Sequence, residues 1–567
     1  MRKQTKLVAV LSTAALLAIG ASMTSFAAQG WAEEDGTWVY YNKDGDKATE
    51  SWKKSGDNWY WLDDNGEMAT DLLVEDDDNY YYVDANGAMV RNQWVAIENE
   101  DAGEDDEPEH YWYYFQANGK AYKRSDSAST DVISAKVING KKYAFDTEGK
   151  MLYGWVSDGE RQTDDDAWKT CKYYFGDEDD GAMSVGWRLI SITDDEAEDI
   201  QPGDEFWDED QDRWFYFQSS GKKKAADENK GEVYTDKSIN GKKYGFDQYG
   251  RMVASWYADL KTASLSESKT DKGTASQGTK KYTEEFMYFS SPEDGARYTK
   301  GWFKVVPGYY LHQAKYNDGD EYWYYADGDG NIVANEIKTI KGKKYAFDEY
   351  GRMINGLVFL EMVNGDTATD IAQKLADDDD DHPYDTEDNF DDFVNHYHEE
   401  INKHLIRSYY FGSSDDGAMK TGKQTVDIDG DSFTFQFKKG SNLKGSGLIG
   451  VDDDKLYMAG KQVKADKDDK YTIYGYNEAE NTVTEYSAAE FISKMVSDGK
   501  VEGGKAEILN DDGDQKWTFK DVNDGGVTYY VIGTSGTIVK TKSSAKDADD
   551  YKINVSKKVI KSITLEN

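Results

Sequence analysis

The chain has 567 residues, of which 110 are acidic and 67 basic, for a formal net charge of −43. That balance argues against a nucleic-acid partner, which needs a basic footprint. Aromatics at 14% and scarce aliphatics also argue against one deep apolar centre, because rings with polar tips suit thin, half-wet layers.

At the amino terminus Arg2, Lys3 and Lys6 precede the apolar run "LVAVLSTAALLAIGA", and a small-residue site ends at Ala27. This pattern predicts a secretory signal over residues 1–27. No later apolar stretch reaches about 18 residues, so no membrane span is expected after signal removal. The single cysteine, Cys171, cannot form an intramolecular disulfide, and an exported chain of this size must be stabilised in other ways.

From Gly36 a short unit recurs: "GTWVYYNKDGDKA", then "DNWYWLDDNGEMA" from Asp57 and "DNYYYVDANGAMV" from Asp78. Later units cycle through three kinds. The middle kind reads "INGKKYAFD" at Ile138, "INGKKYGFD" at Ile239 and "IKGKKYAFD" at Ile340, so Gly140, Gly241 and Gly342 stand 101 residues apart. Three opening units and three triplets give twelve, and "IDGDSFTFQFKKG" from Ile428 reads as a decayed thirteenth. A repeat of this kind is settled before any fold is proposed.

Each unit predicts a β-hairpin, with aromatic and β-branched strands and a turn from "DANG" or "DTEG". One such hairpin is barely stable in water, so neighbours must stack into a quasi-one-dimensional array. Acidic stretches at 98–110, 157–170, 191–212, 257–284 and 361–407 each fall between a first strand bearing Trp (Leu-Val-Phe in the last) and an aromatic second strand. They are expected to be insertions at loop tips. Beyond about residue 450 the pattern fades into strand-like segments and one helix-like stretch, "SAAEFISKMVSDG", where Ser487 and Glu490 form a capping-box pattern. The expected fold is all-β: a solenoid of stacked hairpins over 28–440 with acidic insertions, the one at 361–407 carrying histidines. Residues 451–567 follow as a small α+β domain or a degenerate repeat region.

The pattern "GW…WYY…NG.M" resembles the choline-binding type of cell-wall-binding repeat on exported bacterial proteins. The "INGKKYAF" form is similar to the carbohydrate-binding repeats of large clostridial toxins. The resemblance covers roughly residues 30–440 and rests on twelve copies. It implies sites between consecutive hairpins, built from opening tryptophans at Trp31, Trp52, Trp94, Trp155, Trp187, Trp256 and Trp302. The strand aromatics carried over with them are Trp59, Trp112 with Tyr114, Trp214 with Tyr216, and Trp323 with Tyr325. Their faces suit a quaternary ammonium through cation–π contact, or a sugar ring. Two departures from the choline pattern stand out: Lys in the "GKKYAF" units where the cage Trp belongs, and intervals stretched by insertions. The implied role is an exported, non-catalytic protein, such as an adhesin, held on the cell wall or surface by wall polymer or glycan, with no cofactor.

Four of the six histidines lie in "DDHPYDTEDNFDDFVNHYHEEINKH". A helix over 386–406 would place His396, Glu400 and His404 on one face, which makes them candidate metal ligands. Asp427, Asp429 and Asp431 suggest a calcium loop, but its Gly position and terminal Glu are missing. "DGDGN" at Asp327 reads as a hairpin turn. No Ser-His-Asp or Cys-His arrangement stands out. Two other readings stay open: a compact hydrolase or transferase in 451–567, which would need a concave pocket with buried ionisable groups, and a structural stalk, which would leave no Trp pair open to solvent.

Overall fold

A computed structural model describes residues 29–104, 107–125, 133–196, 208–259, 279–375, 383–511 and 513–566; the expected signal segment lies outside them. The chain forms two compact units, one running to Arg188 together with Phe215–Lys224, the other comprising Leu189–Trp214 and everything from Ala225.

All twelve units and the thirteenth are antiparallel hairpins. In the first unit Gly30–Glu34 pairs with Thr37–Tyr41, Ser51–Ser55 with Asn58–Leu62, Leu72–Asp76 with Asn79–Val83, and Gln93–Glu98 with His110–Phe115. Lys136–Ile138 with Lys141–Tyr143 and Gly154–Ser157 with Tyr173–Phe175 follow, and the hairpin of Gly186–Thr193 with Asp210–Phe217 contributes to both units. The second unit continues with Tyr234–Ile239 and Lys242–Asp247, Trp256–Ala258 and Phe286–Tyr288, and Gly301–Val305 and Tyr322–Ala326. It then adds Glu336–Ile340 with Lys343–Phe347, Gly356–Met362 with Ile406–Phe411, and Gly422–Ile428 with Asp431–Phe437.

The repeated phrase now has a structural meaning. In "INGKKYAFD" the two-residue turn is Asn139–Gly140, with φ of 49° and 83°. Both central residues sit at positive φ, as a type I′ hairpin turn requires. The same turn closes the hairpins at Asn240–Gly241, Lys341–Gly342 and Asp429–Gly430, so "DIDGDS" is a hairpin turn and not a calcium loop.

The "DANG" and "DTEG" segments do a different job from the one expected of them. They do not close hairpins; they connect one hairpin to the next. Asp84 Oδ1 accepts from the backbone N–H groups of Asn86 and Ala88 at 2.8 and 3.0 Å, and Asp146 Oδ1 does the same for Glu148 and Lys150 at 2.9 and 2.8 Å. "DGDGN" is also such a connector, around Asp327. The residue after each connector then donates its backbone N–H to the second strand of the previous hairpin: Met68 to Trp38, Met89 to Trp59 and Met151 to Trp112, each at 2.8 Å. In the second unit Met353 bonds Trp323 and Met419 bonds Lys344 in the same way. These bonds stitch hairpin to hairpin and fix the stacking distance.

Methionine and glycine of the connectors also interlock. Gly119 has φ +84°, and a Cβ there would stand 2.3 Å from Met89 Sδ. Gly221 meets Met183, Gly295 meets Met252 and Gly417 meets Met353 in the same way. The recurring "G.M" signature is therefore a packing pair, in which the Met of one connector fills the space a side chain would take in the next. The residue just before each connector forms the core ladder: Leu62, Val83, Phe115 and Phe175 in the first unit and Phe246, Phe289, Phe347 and Phe411 in the second are fully buried. Burial of one such side chain contributes about 1.5–3 kcal/mol.

The five expected insertions all lie between first and second strands. The strands of the 191–212 insertion run further than expected, to Thr193 and from Asp210. A sixth insertion, residues 306–321 with a helix at Gln313–Asp318, was not foreseen. The insertion at 361–407 carries two helices, Glu387–His396 and His398–Asn402, whose apolar residues Phe390, Phe393, Val394 and Ile401 pack with Phe359 and Phe435.

The sheet of the last hairpin continues past residue 440. Strands Gly450–Asp452, Lys455–Met458 and Lys461–Gln462 join the last hairpin in one five-stranded sheet. Beyond them Tyr471–Asn477, Thr482–Tyr486 and Val527–Gly533 form a three-stranded sheet, and a further five-stranded sheet holds the last strands to Leu565. The helix Ala488–Ser497 begins with the expected capping box of Ser487 and Glu490 and buries Phe491 and Met495 against Ile473, Tyr529 and Ile553.

Candidate functional site

The hairpin register decides which rings meet. Cross-strand pairing sets Trp31 opposite Tyr40, Trp52 opposite Trp61, Trp94 opposite Tyr114, Trp155 opposite Tyr174, Trp256 opposite Tyr288 and Trp302 opposite Tyr325. The partner always stands two residues before the connector. A third ring comes from the next hairpin, three residues before its own connector, on the opposite side of the strand because side chains alternate.

Among the described residues these triads include six, each with the opening Trp in the middle. Trp31 lies 5.5 Å from Tyr40 and 5.4 Å from Tyr60; Trp52 lies 5.2 Å from Trp61 and 5.1 Å from Tyr81. Trp94 touches Tyr114 and Tyr143 at 5.2 and 4.8 Å, and Trp155 touches Tyr174 and Phe215 at 4.9 and 5.4 Å. Trp256 meets Tyr288 and Tyr324 at 5.2 and 4.9 Å, and Trp302 meets Tyr325 and Tyr345 at 5.2 and 4.8 Å. Trp187 pairs with Tyr216 at 5.2 Å. The rings meet tilted or edge to face, the arrangement that aromatic quadrupoles favour, and every opening Trp stays half-buried. Each opening Trp thus keeps part of its surface in solvent.

The triads differ in what already touches them. Over Trp155 the Lys223 ammonium stands 5.0 Å from the ring centroid and 5.7 Å from that of Phe215, while also donating to the carbonyl of Trp168. Trp256 is covered from the unforeseen insertion: its indole N–H donates to the Val306 carbonyl at 2.7 Å, and Gly308 lies against its ring. In the first triad Lys53 Nζ stands 5.3 Å from the Tyr40 ring. The indole N–H of Trp52 donates to Asp76 at 3.1 Å, which places a carboxylate beside that triad.

Several expected site residues fall elsewhere. Trp59 is 37% exposed and pairs with Lys54; the ring facing Trp52 is Trp61. Trp112 and Trp323 are outer neighbours, 6.4 Å from Trp94 and 6.3 Å from Trp302. Trp214 is half-buried and uses its carbonyl to hold Met252. In the "GKKYAF" hairpins the position facing the first strand is not Lys but Gly245, opposite Asp236, and Ala346, opposite Ile337. These hairpins lack a cage of their own, yet Tyr143 and Tyr345 close the cages before them. Counting two and three residues back from each connector would have found Tyr40, Tyr60, Trp61, Tyr81 and Tyr345 in the sequence.

The expected metal set does not assemble. The helix breaks at Tyr397, and His404 lies beyond the second helix with φ +56°, so the three residues do not share one helix face. Burial and the nearby Lys438 and Arg407 hold His404 below the usual imidazole range. Among the described residues no group of three or more His, Cys, Asp or Glu could hold a metal ion. Cys171 is buried, which pushes its thiol pKa up.

Residues 49–94, which hold the Trp52–Trp61–Tyr81 triad, match the family model of the choline-binding repeat. Residues 49–94 resemble a choline-binding repeat. Over 269 residues it is 25% identical to glucosyltransferase-S of Streptococcus mutans serotype c, a match covering 43% of this chain and 16% of that protein. The chain thus spans about a sixth of that relative's length. Among solved structures, the modular autolysin LytC from Streptococcus pneumoniae in complex with a synthetic peptidoglycan ligand is 15% identical, with a TM-score of 0.29, covering 59% of this chain and 55% of that one. Choline binding protein F from Streptococcus pneumoniae, in the presence of a peptidoglycan analogue, is 20% identical with a TM-score of 0.23, covering 58% of this chain and all of that one. No helix among the described residues is long and apolar enough to cross a membrane.

Proposed function

We propose that this is an exported, non-catalytic protein that attaches itself to cell-envelope polymer through quaternary ammonium groups seated on its aromatic triads. The observation that carries this reading is the recurrence of one three-ring arrangement at one hairpin register, from Trp31 to Trp302. Electron-rich faces attract such a cation by about 0.5–2 kcal/mol per ring. Several weak, equivalent sites on one chain give retention through avidity. The Trp52, Trp94 and Trp302 triads are the working sites in this reading. Trp155 already receives an internal cation and Trp256 is covered. Residues 28–440 act as the attachment array and 451–567 as its carboxyl-terminal partner domain, with residues 1–27 as the export signal.

The test is retention on purified choline-bearing walls followed by elution with free choline. Elution supports the reading, and retention that yields only to sugars moves it to a carbohydrate ligand.

A second reading, a catalytic role, has one observation in its favour. Carboxyl groups with raised pKa line a cavity beside the carboxyl-terminal region. Two of its acids, Glu387 and Asp391, come from the histidine-bearing insertion and not from 451–567.

A further inference from the structure

A cavity of about 510 Å³ lies outside the aromatic triads, walled by three separate stretches of chain. One wall is the insertion helix Glu387–His396 and its successor, the floor is the sheet strand around Lys461, and the far wall is the hairpin of Tyr471–Asn477 and Thr482–Tyr486. Such a volume suits a small ligand, since ligand pockets span about 300–1,000 Å³.

The helix presents a polar stripe to this cavity. Glu387, Asp391 and Asn395 recur every four residues and therefore share one face, while Phe390, Phe393 and Val394 face the core. On the floor Lys461 is only 7% exposed. Its ammonium is neutralised by Asp391 at 2.9 Å and Glu387 at 2.8 Å. Across the cavity the Tyr474 hydroxyl stands 3.1 Å from Glu485 Oε2 and 3.1 Å from the Lys464 carbonyl oxygen. One phenol proton cannot satisfy both acceptors. The hydroxyl therefore donates to one of them at a time. Burial pushes the carboxyl groups of both Asp391 and Glu485 up.

We infer that this cavity is a saccharide-binding site, separate from the triads, in which Glu485, Asp391 and Asn395 address sugar hydroxyls while Phe433 and Val483 carry the apolar ring face. The chemistry points to a neutral polyol and not to an anion or a cation. The buried Lys461 ammonium is already neutralised by two carboxylates and does not await a phosphate, and Lys464 is the one other lysine on the lining. A cationic ligand would have to compete with Lys461 for the same acids. Amides, hydroxyls and carboxyls beside an apolar platform can both donate to and accept from vicinal hydroxyls.

The test is isothermal titration of the full-length protein with chitobiose, maltose and cellobiose. At least one of them gives saturable heat, and Glu485→Gln and Asn395→Ala each weaken it by about tenfold or more. Trp302→Ala and added choline leave it unchanged. Asn395 is exposed, so its truncation separates loss of the site from loss of the fold, and an unaltered unfolding midpoint verifies this. The inference is overturned if none of the three disaccharides gives saturable heat, if choline competes, or if binding survives both cavity variants.

Discussion

The Lys223 ammonium stands 5.0 Å from the centroid of the Trp155 indole, so this protein places one of its own cations over an aromatic triad. Its connector neighbour Gly221 packs on Met183, which positions the lysine. Lys223→Ala removes cation–π contacts worth about 0.5–2 kcal/mol and frees the triad. The expected outcome is a modest fall in unfolding midpoint and one additional equivalent of choline bound in equilibrium dialysis. Unchanged stoichiometry would show that the Trp155 triad is closed by something other than Lys223.

Trp256 and Trp302 make similar ring contacts but should respond differently to truncation. Trp256 is tied to Val306 and covered by Gly308, so Trp256→Ala leaves a cavity and costs about 3–5 kcal/mol of stability with choline affinity at the other triads retained. If the proposed function holds, Trp302→Ala lowers both choline stoichiometry and wall retention. Thermal unfolding and choline titration of the two variants, run side by side, check this contrast.

The 101-residue repeat offers an internal control on electrostatics. Asp247 and Asp348 each pair with an arginine four residues on, at 2.7 and 2.8 Å. The matching Asp146 is followed by Lys150, which instead pairs with Glu148 at 2.8 Å. Burial pushes the Asp146 carboxyl up to about 6. Because this folded-state value lies above the ordinary aspartate value of about 3.9, folding favours the protonated acid. The contribution is fully present below about pH 4 and is lost as pH rises through about 6. Asp146→Asn keeps the acceptor and removes the charge. It is expected to stabilise the protein above pH 6, with the gain shrinking toward about pH 4. Lys150→Arg should lower the Asp146 pKa by supplying the missing partner. Unfolding midpoints of variant and parent across this window, together with an NMR titration of the carboxyl, measure both.

The connector glycines test the stacking. A Cβ at Gly119 would stand 2.3 Å from Met89 Sδ at a backbone φ of +84°, so Gly119→Ala is expected to cost about 1–3 kcal/mol from overpacking and more from the backbone. Gly36 also has positive φ but meets nothing within 4 Å. Gly36→Ala should therefore show the backbone cost alone, and chemical unfolding of the two variants separates the terms.

Much of this was legible in the sequence. The count of hairpins, including the decayed one at Ile428, and the position of five insertions follow from aromatic runs and turn residues alone. The capping box at Ser487 needed only local spacing. What escaped was register. Trp59 and Trp61 both look like candidates to face Trp52, and only the pairing across the turn, with its two-residue alternation, selects Trp61. Asp and Gly occur in both turn types, so local sequence does not separate the connectors from hairpin turns; the hydrogen bonds that distinguish them run to the previous hairpin. The insertion at 306–321 is rich in tyrosine and resembles a strand, so composition concealed it. The cavity beside Glu485 draws on segments about 100 residues apart and left no local mark.

The central claim is that the triads hold a quaternary ammonium, and titration of free choline into the mature protein tests it most directly. The account predicts saturable binding with more than one equivalent, reduced stepwise by Trp52→Ala and Trp302→Ala and little changed by Trp256→Ala. Absence of saturable binding, or equal binding by parent and by the combined Trp52→Ala, Trp94→Ala and Trp302→Ala variant, would contradict it.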